Sequence, residues 1–154
     1  MRDIPREAAE LRELLRLGLR SVAEAVAWAD AVIAESEHPA MTFIELASMR
    51  HANPLDVLSV LSGLSESIPT VEVLPSVLGL AYHKLLADPR RGRSFAYALY
   101  SVYAVQCRYE VPKALEEMAW FGDAFDLAAQ GEIVADVQQQ LLSFCRRFDT
   151  GGQQ

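Results

Sequence analysis

Apolar residues recur every three or four positions along most of this chain, and residues that cap or stop helices fill the intervals between such runs. Asp3 can cap a first helix with Pro5 in its opening turn; Ala8, Leu11 and Leu15 make its apolar stripe, and Gly18 ends it. Ser21-x-x-Glu24 is the pattern of a capping box, in which each side chain answers the other residue's backbone N–H. It opens a second helix that runs to about Glu35 with Val22, Val26, Ala29 and Ile33 facing the core. After a break at residues 36–39, Thr42-x-x-Glu45 reads as another capping box, starting a short helix that ends near Arg50. Asn53-Pro54 caps the next, with Leu55, Leu58, Leu61 and Leu64 as its apolar face. Ile68-Pro69 and Pro75 punctuate the approach to a helix carrying Leu78, Tyr82, Leu85 and Leu86 as far as Asp88.

Residues 95–107, FAYALYSVYAVQC, depart from this alternation: they carry no charge, and large apolar or tyrosyl side chains fall on every side of a helical wheel. At about 1.5 Å of rise per residue the run is too short to cross a bilayer, which takes roughly 20 apolar residues. It is expected to be a buried central helix over about residues 94–109, reached through the basic turn at 88–94. Val111-Pro112 should begin a seventh helix that Gly131 ends, and Ile133, Val137, Leu141, Phe144 and Phe148 stripe the last one. Period-two alternation is confined to residues 70–73, whose neighbours read as helix. The expected fold is therefore all-α: a single-domain bundle or array of about eight helices over residues 1–149, with 150–154 as a frayed tail.

Composition fits one core: 154 residues, 51% of them hydrophobic. Charges stand in the N-terminal stretch where a secretory signal would need an apolar run, so a cytoplasmic protein with no membrane span is expected. Cys107 and Cys145 each fall in a helical pattern and read as small buried hydrophobes. Because no Cys-x-x-Cys or paired-His spacing occurs, no metal site is expected.

The net charge of −7 is unevenly spread. Residues 21–83 hold eight acids and one base, Arg50, and residues 110–145 hold seven acids and one base, Lys113. The intervening stretches 1–20, 84–109 and 146–154 are net basic. Such a layout argues against nucleic acid as a partner, since phosphate binding needs clustered Lys and Arg. Residues 44–60 do mimic a helix-turn-helix. His51, however, stands where the turn usually takes Gly, and the would-be recognition helix offers Leu55, Asp56, Leu58 and Ser59 with no cation for phosphate or guanine.

No Gly-x-Ser-x-Gly, phosphate loop or dinucleotide fingerprint is present, so no catalytic residue and no cofactor is assigned. Tyr97, Tyr100 and Tyr103 climb the central helix; they could line a small-ligand pocket between helices or anchor their hydroxyls at the rim of the core. Both tryptophans follow a glutamate by four residues. On a regular α-helical wheel Trp120 and Leu127 oppose the core side of the seventh helix, beside Glu116 and Asp123. Trp28 projects toward Glu24 and Glu35. Each is either an aromatic anchor ringed by carboxylates, suited to a basic partner protein, or the far side of a helix covered on two faces; a homo-oligomer is left open.

Residues 17–24, LGLRSVAE, followed by Ala27-Trp28-Ala29-Asp30, resemble the opening of small bacterial all-helical proteins that are uncharacterised, some of them similar to toxin-neutralising immunity proteins. The resemblance implies an all-helical, non-catalytic binder, and it carries no functional residue with it. The combined expectation is an acidic, non-enzymatic module that binds a basic protein; the alternative is a small-molecule binder under the central helix.

Overall fold

The computed structural model describes residues 2–133 and 136–151, and among them forms eight α-helices and no strand. The single expected domain is laid out as two compact units, Met1–Pro69 and Thr70–Gln154, divided at the Ile68-Pro69 break. From residue 152 on, the expected frayed tail lies outside the described residues.

The first unit contains α1 (Ile4–Arg16), α2 (Val22–Ala34), α3 (Met41–Ala47) and α4 (Pro54–Leu64). Asp3 caps α1 by accepting the Arg6 N–H, and Gly18 ends it at φ 73°, where a residue without Cβ is free of the left-handed penalty. Both halves of the Ser21–Glu24 capping box form at the start of α2. The second expected box does not. Helix α3 starts at Met41, so Thr42 and Glu45 lie within it, and its N-cap is Ala40 with no side-chain bond.

Helix α4 is capped by Asn53, which accepts the Leu55 N–H at 2.9 Å. Its inward face is the expected one only at Leu61 and Leu64. Leu55 is 71% exposed, while Val57 and Leu61 are buried with Ser65 just beyond the helix end. The leucine spacing and the 57/61/65 spacing both fit a helix, and packing against α1 selects the second. A core of Ala8, Leu11, Ala25, Ala29, Leu46, Val57 and Leu61 results.

Beside that core lies a buried charged network that the apolar pattern does not reveal. Glu13 is fully buried and accepts from Arg12 Nε at 2.6 Å and from Arg16 Nη1 at 2.8 Å. Arg12 also donates to Ser65 Oγ at 2.7 Å, to the Ser65 carbonyl at 3.3 Å and to the Ile68 carbonyl at 3.1 Å. Its guanidinium thus ties α1 to the turn just past the end of α4, sharing the Ser65 carbonyl with the Ile68 N–H and donating to the Ile68 carbonyl.

In the second unit, α5 (Thr70–Ala87) begins with the residues that hinted at a strand and accommodates Pro75 within the helix. Gly79 on α5 lies against the chain after α8 (Val137–Arg146): a Cβ there would stand 2.4 Å from the Phe148 carbonyl oxygen. One turn further along α5, His83 Nε2 meets Asp149 Oδ1 at 2.9 Å. Helix α8 is capped by Asp136, so Ile133 precedes it rather than belonging to its stripe; Val137, Leu141, Phe144 and Cys145 are its buried residues. Burial pushes the Cys145 thiol up to about 12, leaving it un-ionised at neutral pH, and both cysteines are free.

The expected central helix is shorter and more open than its composition implies. Helix α6 (Gly92–Ser101) buries Phe95, Ala96 and Leu99 and gives way at Val102–Gln106 to a π-helical turn, in which the Cys107 N–H reaches back to the Val102 carbonyl. Tyr97, Tyr100 and Val105 are exposed. Phenol rings carry a hydroxyl that water satisfies, so a tyrosine-rich wheel can face solvent where a leucine-rich one could not. The turn closes at Arg108 and Tyr109, both left-handed at φ 52° and 64°, and the Tyr109 N–H bonds the Tyr103 carbonyl at 3.0 Å.

No helix among the described residues is long and apolar enough to cross a membrane. Replacing Glu13 with Ala should destabilise the first unit by about 3–5 kcal/mol, because it strips a buried guanidinium of its counter-charge. Urea denaturation measures this, and a loss below about 1 kcal/mol would show that Arg12 is satisfied by Ser65 and Ile68 alone.

Candidate functional site

Folding brings the basic stretches onto the acidic ones. In the first unit Arg2 donates to Glu35 through Nε at 2.8 Å and Nη2 at 2.9 Å and to Glu7 at 2.7 Å, while Arg20 reaches Glu24 at 2.6 Å. The Arg2 hydrogen bond holds the Glu35 carboxyl below the usual carboxylate range. Trp28 is half-buried: its indole N–H donates to Glu7 at 3.2 Å, and its ring meets Phe43 of α3 edge-on at 5.9 Å. The expected anchor of Trp28 ringed by Glu24 and Glu35 therefore does not form. Helix α2 is covered on a second side by α3, and both glutamates already hold arginines.

Trp120 has the opposite fate. The expected seventh helix is broken in two, a 3-10 helix over Lys113–Ala119 followed by α7 (Phe121–Ala129), with Trp120 at the junction. At three residues per turn, side chains three apart eclipse one another, so Glu117 rather than Glu116 comes directly before the indole. Asp123 follows it by one turn of α7. The ring is 43% exposed, its inner edge against Phe121 at 5.4 Å. Glu116 and Asp123 are exposed and make no ion pair with any described residue, and Leu127, one turn beyond Asp123, is half-buried.

Glu117 is taken. Arg147, just past α8, donates to its two carboxylate oxygens at 2.7 and 2.9 Å and lies 5.4 Å over the Phe144 ring, which itself packs on Phe121. On the other border of α7, Arg93 donates to Asp126 at 2.7 Å and lies 5.9 Å over the Tyr97 ring, whose hydroxyl also donates to Asp126. The Tyr97 hydrogen bond, then that of Arg93, holds the Asp126 carboxyl below its usual range. Sequence reasoning missed both arginines. The four-residue spacing of Arg93 and Tyr97 was a usable signal; the thirty residues between Glu117 and Arg147 were not.

The three tyrosines expected to line a pocket lie instead on or near the surface, Tyr97 and Tyr100 exposed and Tyr103 half-buried. Tyr103 packs on Tyr100 at 6.1 Å and on Tyr109 at 5.5 Å, forming an aromatic ridge rather than a cavity wall. A shallow groove does exist in this unit, between Tyr82 and Leu86 of α5 and Leu142 and Arg146 of α8. The stretch read as mimicking a helix-turn-helix consists of α3 and α4 with residues 48–53 between them, and α4 exposes Leu55, Asp56 and Ser59. Among the described residues no group of three or more His, Cys, Asp or Glu converges as a metal site.

Trp28→Phe leaves Trp120 as the sole indole, and its emission should be red-shifted and more strongly quenched by acrylamide than that of Trp120→Phe, which reports Trp28. Equal quenching would put the two rings in equivalent surroundings. A second outcome concerns pH. A carboxyl whose pKa is lowered by folding contributes stability above its unfolded value, about 3.9 for Asp, and loses it as pH falls through the folded value. Thermal melts should show Asp126→Asn below the parent near pH 7, with the gap closing below about pH 4.

Comparison with family models, with curated proteins and with solved structures finds no match to this chain.

Proposed function

We propose that this chain is a non-catalytic module that binds a basic protein through the exposed surface at the junction of the 3-10 helix and α7, in the manner of a small acidic inhibitor. One observation carries the reading: Trp120 keeps almost half of its surface in water, while Asp123, one turn further along, and the exposed Glu116 on the preceding 3-10 helix make no ion pair with any described residue. A large aromatic ring leaves apolar area unburied there, and its desolvation by a partner would supply the binding free energy that such hot spots contribute. The free carboxylates add a field that attracts cations and raises the association rate. Trp28, Glu24 and Glu35 have no part in this surface. The tyrosine-lined pocket is not favoured, because rings open to solvent cannot enclose a small ligand.

The two contributions separate in kinetics. Trp120→Ala should raise the dissociation rate by a factor corresponding to about 2 kcal/mol or more, whereas Glu116→Gln with Asp123→Asn should lower the association rate and its salt dependence. The test begins with proteins retained from a native lysate by the parent and lost by both variants, followed by surface plasmon resonance on the purified partner. Melting curves accompany it. A half-exposed ring should cost less folding stability than the roughly 3–5 kcal/mol of a core tryptophan. No retained protein that distinguishes parent from variants, or a Trp120→Ala chain that unfolds, would overturn the reading.

A further inference from the structure

The 3-10 helix over Lys113–Ala119 and α7 together present three carboxylates, Glu117, Asp123 and Asp126, and only two of them hold a guanidinium. On one border the Asp126 carboxylate and the Tyr97 ring hold the Arg93 guanidinium. On the other side the Glu117 carboxylate and the Phe144 ring hold that of Arg147. In each, a planar cation is gripped by a carboxylate and lies against an aromatic face. In the chain between Glu117 and Asp126 stands Trp120, with Asp123 one helical turn further on: the same two components, the ring a better cation acceptor than either phenylalanine or tyrosine, and no guanidinium.

From this repetition we infer that the basic partner is read through an arginine, whose guanidinium completes the third clamp by stacking on Trp120 and pairing with Asp123. The inference rests on the protein-binding reading above and makes it more specific. Arginine rather than lysine follows from shape. A guanidinium offers parallel N–H groups to a carboxylate and a flat, weakly hydrated face to an indole, while an ammonium offers a compact, strongly hydrated charge that satisfies one requirement at a time. The two arginines that flank this stretch, Arg93 and Arg147, are already engaged with Asp126 and Glu117.

The probes are acetylated, amidated hexa-arginine and hexa-lysine, equal in charge, titrated into full-length Trp28→Phe protein while the Trp120 emission is followed. Phenylalanine keeps an aromatic ring against Phe43, so the background variant should fold. Hexa-arginine is expected to bind about fivefold or more tightly than hexa-lysine. Adding Asp123→Asn should bring that preference under about twofold, while Asp30→Asn, which removes an exposed acid of the first unit, should leave it intact. Equal affinities for the two peptides would overturn the arginine inference and leave the acidic-surface reading standing. A preference that survives Asp123→Asn would likewise sink the clamp. If neither peptide perturbs Trp120, both the inference and the reading beneath it fail.

Discussion

Short helices set the conditions for this molecule. Its α-helices run from seven residues in α3 to eighteen in α5, and segments of that length are marginal in water unless tertiary contacts cover one face. Every helix must therefore find a neighbour, and the question each one poses is which of its faces is taken. For α4 the neighbour is α1, which takes Val57 and Leu61 and leaves Leu55 in water. For α6 the neighbours in its own unit take Phe95, Ala96 and Leu99 and leave the tyrosines. The buried Arg12–Glu13 network belongs to the same logic: a short helix ends soon, the chain turns immediately beyond it, and a guanidinium from the helix packed alongside donates to carbonyls of that turn, at Ser65 and Ile68.

Charge follows from this packing rather than preceding it. Along the chain, acids and bases lie in separate blocks. Folding returns Arg2 to Glu35, Arg93 to Asp126 and Arg147 to Glu117, so that much of the apparent acidic excess is paired within each unit. Exposed pairs of this kind contribute little to stability. Their effect is to decide which carboxylates remain open to a partner. A uniformly acidic surface would attract any cation; one whose unpaired acids include Asp123, a turn from an exposed indole, distinguishes a position.

The helical fold, the capping of α1, α2 and α4 and most core positions were legible because caps and apolar spacing are local signals. The errors arose where two spacings competed or where helix type changed. The leucines of α4 form as regular a stripe as its buried positions Val57 and Leu61, and only the third dimension keeps Leu61 and turns Leu55 outward. A wheel drawn at 100° per residue through residues 112–130 assumes one helix type; the 3-10 segment tightens the turn, replaces Glu116 by Glu117 as the residue eclipsing Trp120, and so exchanges a free acid for a paired one. At Trp28 the sequence shows an indole opposite the apolar stripe but not the Phe43 that covers it. Arg12 and Glu13, charged neighbours in an otherwise amphipathic helix, give no sign of being buried.

The close of the π-helical turn has a further consequence. Arg108 and Tyr109 occupy the left-handed region without being glycine, and L-residues there give up roughly 1–2 kcal/mol each relative to right-handed helix. A glycine at 109 would relax the backbone at once, but it would remove the ring that packs edge-on against Tyr103. This corner is thus one at which local geometry and side-chain chemistry ask for different residues, and chemistry prevails. Chains resembling this one could be divided by that choice: those with glycine at the corner would keep the turn and lose the aromatic ridge, and those with an aromatic would keep both under tension.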